Sequence, residues 1–153
     1  MTSGNDSRRY PEHPFIGVGG LVFDRGRVLL VERGKDPLKG WWSLPGGILE
    51  TGERLTEGVK REVAEETGLE VEPYEMFEIF ERILRDDGGR AEYHYVLIDY
   101  LCRVTGGEAR AADDAAGLAW ARREELRSYR ITAGTLEVVE RAFEKLRERG
   151  ELE

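Results

Sequence analysis

Residues 47–69 read GILETGERLTEGVKREVAEETGL, and no other stretch constrains this chain as strongly. The stretch follows Pro45 and Gly46, so it opens in a glycine turn and then runs into a segment with two contrasting faces. Leu55, Val59 and Val63 recur at i, i+4 and i+8, which predicts an amphipathic helix over residues 55–67 with that stripe buried. Gly68 follows where a left-handed residue commonly ends a helix. Glu62, Glu65 and Glu66 stand at i, i+3 and i+4 and share one face. Like charges at these spacings repel by roughly 0.2–0.5 kcal/mol per pair. A solvated surface gains nothing from the arrangement, whereas a hard cation does. Magnesium prefers carboxylates and completes its shell with waters and substrate phosphates. Gly58 sits mid-helix, at a cost of about 1 kcal/mol relative to alanine, and close packing against a neighbour would explain it.

The glycine turn adds a second element. Without Cβ atoms its backbone can approach a ligand, and the Gly47 carbonyl could supply one more metal ligand. Arg61 adjoins Glu62 in sequence but is expected to point elsewhere, pairing with Glu53 and holding the loop onto the helix.

Around this stretch the chain reads as strands and a second helix. Residues 15–23 and 27–32 are apolar runs separated by Asp24-Arg25-Gly26 and predict paired strands. Residues 74–84 and 92–104 flank the turn Asp86-Asp87-Gly88-Gly89 as a hairpin. Residues 106–117 read as an acidic loop of small residues, and residues 118–121 as a short strand carrying Trp120. Leu136, Val139, Phe143 and Leu146 make an apolar stripe that predicts a C-terminal helix. Strands flanking two amphipathic helices indicate an α+β (mixed α/β) sandwich. The expected organisation is a flexible tail over residues 1–12 and a single domain over residues 13–150. Phe15, Phe80 and Tyr95 are expected in the core, and neither His13 nor His94 has metal-ligand spacing.

Composition removes several function classes. The 153 residues carry 23 basic and 31 acidic side chains, a net charge of −8. Such a chain repels nucleic-acid polymers and anionic membranes, so a polyanionic small molecule needs a local cation to bind. Cys102 is the single cysteine, which excludes an intrachain disulfide and suits a reducing compartment. There is no apolar run of membrane-spanning length, and the first ten residues lack the apolar segment of a signal peptide. A cytoplasmic location is expected.

The stretch resembles the Nudix box. The pattern's fixed places fall on Gly47, Glu53, Arg61, Glu62, Val63, Glu65, Glu66, Gly68 and Leu69, nine specified positions within 23 residues, and every one agrees. The Trp-x-Leu-Pro-Gly-Gly lead-in at residues 42–47 and a late strand with Trp120 also match the family's layout. The resemblance implies a mixed sheet between helices, with the box as a loop–helix–loop. It implies hydrolysis of a nucleoside diphosphate linked to a variable group, with magnesium, or manganese in its place, as cofactor. Glu62, Glu65 and Glu66 would bind metal, with the Gly47 carbonyl as an addition, and Glu53 would orient Arg61 or bind a water beyond the metal's own ligands. The general base would come from the box (Glu65) or from a loop before the last sheet strand, where Asp114 leads Asp113 and Glu108 as candidate. Arg33, at a strand end, is the candidate phosphate contact. Trp41 and Trp42 are the candidate base-stacking residues, with one expected in the core and the other in the pocket.

Box and lead-in look most like small ADP-ribose-hydrolysing members. Residues 80–85 hold no proline, where many ADP-ribose-specific members carry one. A nucleoside triphosphate pyrophosphohydrolase is therefore the alternative enzyme. A catalytically silent nucleotide sensor is a further alternative, though such domains typically lose box carboxylates. Homodimer formation, which is common among relatives, is left open by the C-terminal stripe.

Overall fold

The computed structural model describes residues 8–152, so residues 1–7 of the expected tail lie outside the described residues. The chain folds as a mixed sheet with one helix on each face. In order it forms β1 (Phe15–Asp24), β2 (Arg27–Arg33), β3 (Trp42–Ser43), β4 (Gly46–Ile48), α1 (Leu55–Thr67), β5 (Leu69–Arg85), β6 (Ala91–Gly107), β7 (Ala115–Ala121), a 3-10 turn (Arg123–Ser128) and α2 (Thr135–Glu148). The sheet runs β3-β2-β1-β6-β5, with β7 on β2 and β4 on β1. β1 and β6 are parallel and the other pairs are antiparallel.

The pairing of β1 is what opens a cleft. It bonds to β2 only at Phe23 and Asp24, then diverges, and the short β4 takes its place alongside Gly17, Val18 and Gly19. The expected β1–β2 pair thus exists at its turn end alone.

Each helix is held by its apolar stripe. Val59 and Val63 of α1 pack on Val18, Val22, Leu29 and Cys102. Val138, Val139, Ala142, Phe143 and Leu146 of α2 pack on Leu21, Leu30 and Leu101 from the other face, with Phe143 edge-on to Phe23 at 4.9 Å between ring centres. A fully buried side chain of this kind contributes roughly 1.5–3 kcal/mol. The ion pairs Arg123–Glu144 and Arg127–Glu140 on the outer face of α2 are exposed and contribute roughly 0–1 kcal/mol each, so the stripe dominates.

Local signals account for the ends of α1. Its first turn is closed by Glu57, whose carboxylate accepts the Arg54 backbone N–H at 2.8 Å. Gly68 ends it with φ of 77° and donates to the Ala64 carbonyl. Gly58 packs as its position in the helix suggested: a Cβ there would meet Leu49, Glu53 and Val18 at 3.0–3.2 Å.

β5 starts at Leu69, five residues earlier than the apolar pattern indicates. Leu69, Val71 and Pro73 alternate inward with Glu70 and Glu72 outward, and Pro73 is accommodated because β5 is the sheet edge and its register shifts there. The described part of the expected tail, residues 8–12, is anchored through Tyr10. Its hydroxyl donates to Asp86 at 2.7 Å and its backbone N–H to the Glu92 carbonyl. No helix among the described residues is long and apolar enough to cross a membrane.

Gly68→Ala combines two penalties. The left-handed backbone costs about 1–2 kcal/mol for a residue with a Cβ. That Cβ would also sit 2.5 Å from the Glu108 carbonyl oxygen, which adds overpacking of roughly 1–3 kcal/mol. Gly89→Ala carries the first penalty alone, since its Cβ would meet nothing within 4 Å. Urea unfolding should show Gly68→Ala as the more destabilised by at least about 1 kcal/mol. Equal losses would mean that the Glu108 carbonyl does not press on this position.

Candidate active site

The glycine pair sets the geometry. A Cβ on Gly46 would collide with the Val18 carbonyl, and one on Gly47 with the Glu62 carboxylate. Only a backbone stripped to glycine lets β4 lie against β1 while the Glu62 carboxylate rests on its surface. The Gly46 N–H then donates to Glu66 Oε1 at 3.1 Å, tying the far end of the acidic face to the same turn.

Arg61 organises the rest. Its Nε donates to Glu53 Oε2 at 2.6 Å and its Nη2 to Glu53 Oε1 at 3.0 Å, a two-pronged pair that matches the planar guanidinium. Nη2 also reaches the Ile48 carbonyl at 3.2 Å. The pairing with Glu53 is the one the sequence suggested. The direction is not, because Nη1 turns to Glu62 at 2.8 Å and to Glu65 at 3.3 Å. A long side chain beginning next to Glu62 can fold back along the helix, which helical angle alone does not convey. The two-pronged bond to Arg61 holds the Glu53 carboxyl below the usual carboxylate range, and Glu53 in turn raises Arg61.

Glu62 and Glu66 face a cavity in the cleft between β1 and β2. Burial pushes the Glu62 carboxyl up against the pull of Arg61. Glu66, 8% exposed, is pushed up to about 8, first by burial and then by the charges of Glu62 and Asp114, with the Gly46 amide working against them. Among the described residues no three acidic, histidine or cysteine side chains converge as a ready-made cage, and Arg61 lies between Glu62 and Glu65. A half-buried and a buried carboxylate, mutually repelling and opening on a cavity, still form a donor set that fits an oxygen-seeking divalent cation.

The same cavity is lined by Arg33, Gly47 and Asp114. Arg33 is half-buried, its Nε donating to the Pro37 carbonyl at 2.7 Å, and burial lowers its hold on the proton. Asp114 pairs with Lys35 at 2.9 Å, both half-exposed. Glu65 has a 46% exposed side chain and, like Glu53 and Arg61, lies behind the lining.

The tryptophans are placed elsewhere. Neither Trp41 nor Trp42 lines the cavity. Trp42 packs edge-on against Tyr129 at 5.1 Å between ring centres, and Trp41 lies under the Arg130 guanidinium at 4.2 Å. The segment after the 3-10 turn returns beside β3, with Trp42 N–H donating to the Arg130 carbonyl, and both rings are taken up by it. Phe80 and Tyr95, read from sequence as core, are so placed, Tyr95 buried and Phe80 packed against the core cluster, and they also line the cavity together with Arg82, Asp99 and Thr135, which the sequence did not single out.

The raised Glu66 carboxyl makes the metal-free protein sensitive to pH. Below about 4.5 both the folded and unfolded forms hold the proton and there is no penalty. Between 4.5 and 8 only the folded form holds it, so stability falls as pH rises, and above 8 the penalty is complete. In chelator at pH 9, Glu66→Gln should therefore be more stable than wild type by a few kcal/mol, on the order set by the shift. At pH 4.5 the two should converge. Equal urea midpoints at pH 9 would place Glu66 in a solvated or paired setting.

Comparison with known proteins identifies the family and the fold. The NUDIX domain model matches residues 13–142. An ADP-ribose pyrophosphatase of Methanocaldococcus jannaschii is 38% identical over 103 residues, which take in 67% of this chain and 59% of that protein's length. An 8-oxo-dGDP phosphatase of Mus musculus is 35% identical over 101 residues, 66% of this chain and 28% of that protein. Among solved structures, a MutT NUDIX hydrolase from Burkholderia pseudomallei superposes with a TM-score of 0.74 at 29% identity, covering 84% of this chain and 98% of the other. The chain therefore belongs to the Nudix family.

Proposed function

We propose that the protein hydrolyses a phosphoanhydride bond in a nucleoside diphosphate linked to another group, with magnesium as cofactor, manganese as a substitute, and ADP-ribose or a close analogue as substrate. The observation that carries this reading is the pair Glu62 and Glu66, the first half-buried and bonded to Arg61, the second buried with only the Gly46 amide as hydrogen-bond partner, opening on a cavity that also presents Arg33. The ADP-ribose pyrophosphatase from Methanocaldococcus jannaschii supports the substrate class. The similarity to an 8-oxo-dGDP phosphatase favours a damaged nucleotide as the second reading.

Glu62, Glu65 and Glu66 would hold the ion, with the Gly47 carbonyl as a further ligand. The ion supplies charge neutralisation on the phosphates and a water of lowered pKa. The chain's own side chains do the rest. Arg61, fixed by Glu53, keeps Glu62 and Glu65 in place while leaving Glu66 to the Gly46 amide. Arg33 binds a phosphate oxygen and steers the scissile bond toward the carboxylates. Asp114, on the cavity wall and close enough to raise Glu66, accepts a proton from the attacking water. Glu65 is the other candidate base. Phosphoryl chemistry of this kind depends on positioning and electrostatics. The lone buried Cys102 suits a reducing, cytoplasmic setting. Homodimer formation is compatible with this reading.

The test is product-resolved hydrolysis with magnesium across ADP-ribose, nucleotide sugars, dinucleoside polyphosphates, and normal and oxidised nucleoside triphosphates. One class should be cleaved, ADP-ribose first. Glu66→Gln should lower kcat by roughly 100-fold or more with the fold intact. Asp114→Asn should lose activity while retaining metal affinity, and an unchanged pH–rate profile in that variant would pass the base role to Glu65. Absence of cleavage across the panel, in magnesium and in manganese, would overturn the hydrolytic reading of the substrate.

A further inference from the structure

Asp99 stands out in the cavity wall. It sits on β6 within an apolar strand, is 5% exposed, and borders the cavity. Among the described residues its carboxylate takes part in no hydrogen bond and no ion pair, and its oxygens are not sealed in protein but stay open to the cavity. Arg82 of β5 is near enough to favour its charge, but the Arg82 Nη2 is committed to Thr132 Oγ1, the Ala133 carbonyl and Thr135 Oγ1. Glu78, its register partner on β5, pairs with Arg141 instead. Burial without a donor pushes the Asp99 carboxyl up to about 7.

The chain makes room for this group. Asp99 lies across from Gly19 of β1, and a Cβ on Gly19 would come within 2.6 Å of Asp99 Oδ1. Gly19 in turn pairs with Gly46, whose amide holds Glu66. Asp99 is thus two strands from the candidate phosphate end, roughly 10 Å at ordinary strand spacing. The group attached to the diphosphate would occupy that position. Phe80, Leu44 and Leu97 give the same region apolar walls.

We propose that Asp99 determines specificity in this cleft, its two carboxylate oxygens accepting a forked pair of hydrogen bonds from the group attached to the diphosphate. The inference rests on the hydrolase reading for its ligand and extends that reading to what the site selects. An ionised carboxylate only accepts, and it matches two adjacent donors best. The ring N–H and amine edge of a guanine-type base presents such a pair, as do the vicinal hydroxyls of a ribose. Adenine sets its amine beside a ring acceptor and offers a single donor.

The experiment is equilibrium binding by calorimetry to the full chain with magnesium present, using GMP, IMP, dGMP and AMP, which hold no phosphoanhydride bond to be cleaved. If a base edge is read, GMP should bind at least tenfold more tightly than IMP or AMP. If a diol is read, GMP should exceed dGMP by that margin. In either case Asp99→Asn should weaken the preferred ligand tenfold or more and bring the ratios within twofold, with Tm no lower than wild type because a buried charge is removed. Gly19→Ala, which displaces the carboxylate with a methyl group, should give the same loss and serves if the first variant does not fold. Affinities unchanged within twofold in the variants would overturn the assignment. A failure of hydrolysis in the panel of substrates would leave these ratios untouched, so the two readings fail separately.

Discussion

One guanidinium holds the site together. Arg61 takes Glu53 with two prongs, Glu62 and Glu65 with a third nitrogen contact, and the Ile48 carbonyl as well, so it joins the loop before α1 to the acidic face of α1. The charges do not balance. A single positive charge stands against Glu53, Glu62 and Glu65, and Glu66 has only a backbone amide. The deficit falls on the carboxylates that face the cavity, whose proton affinity is raised first by burial and, at Glu66, further by the charges of Glu62 and Asp114. A buried anion without countercharge either takes up a proton or binds a cation. The functional reading follows from that choice.

The sheet supplies the space. Because β1 leaves β2 after two register positions and is taken up by β4, the sheet splits, and the split is where the cavity lies. Contact with backbone requires the glycine at position 46, while at positions 47 and 19 a side chain would push aside a carboxylate. Gly46 is pressed on β1, Gly47 on Glu62, and Gly19 leaves room for Asp99. Backbone approach at these points puts a metal-type acidic end and a partnerless acid in one cleft.

Much of this was legible in the sequence. The bounds of α1, the left-handed Gly68 and the Arg61–Glu53 pair all depend on interactions within about twenty residues, where periodicity and spacing carry the information. What was not legible depends on strand register and on segments distant in sequence. Phe80 and Tyr95 are core, as apolar residues in strands usually are, but that they also border a cavity depends on the split in the sheet. Trp41 and Trp42 are enclosed by a segment some ninety residues later, which no local pattern predicts. Asp99 did leave a signal: an acidic residue in the apolar run YVLIDYLC, on the same strand face as Tyr95 and Leu97. A charge in such a run either has a partner or has a task.

The most direct test of the charge deficit is calorimetric titration of the protein with manganese, free of nucleotide, in buffers of different ionisation enthalpy at pH 7. With the Glu66 carboxyl at about 8, most of the population carries its proton there, and ion binding must expel it. The account predicts release of close to one proton per ion bound in wild type, with both binding and release lost in Glu66→Gln. Binding of equal strength in that variant, with no proton released in either protein, would contradict it.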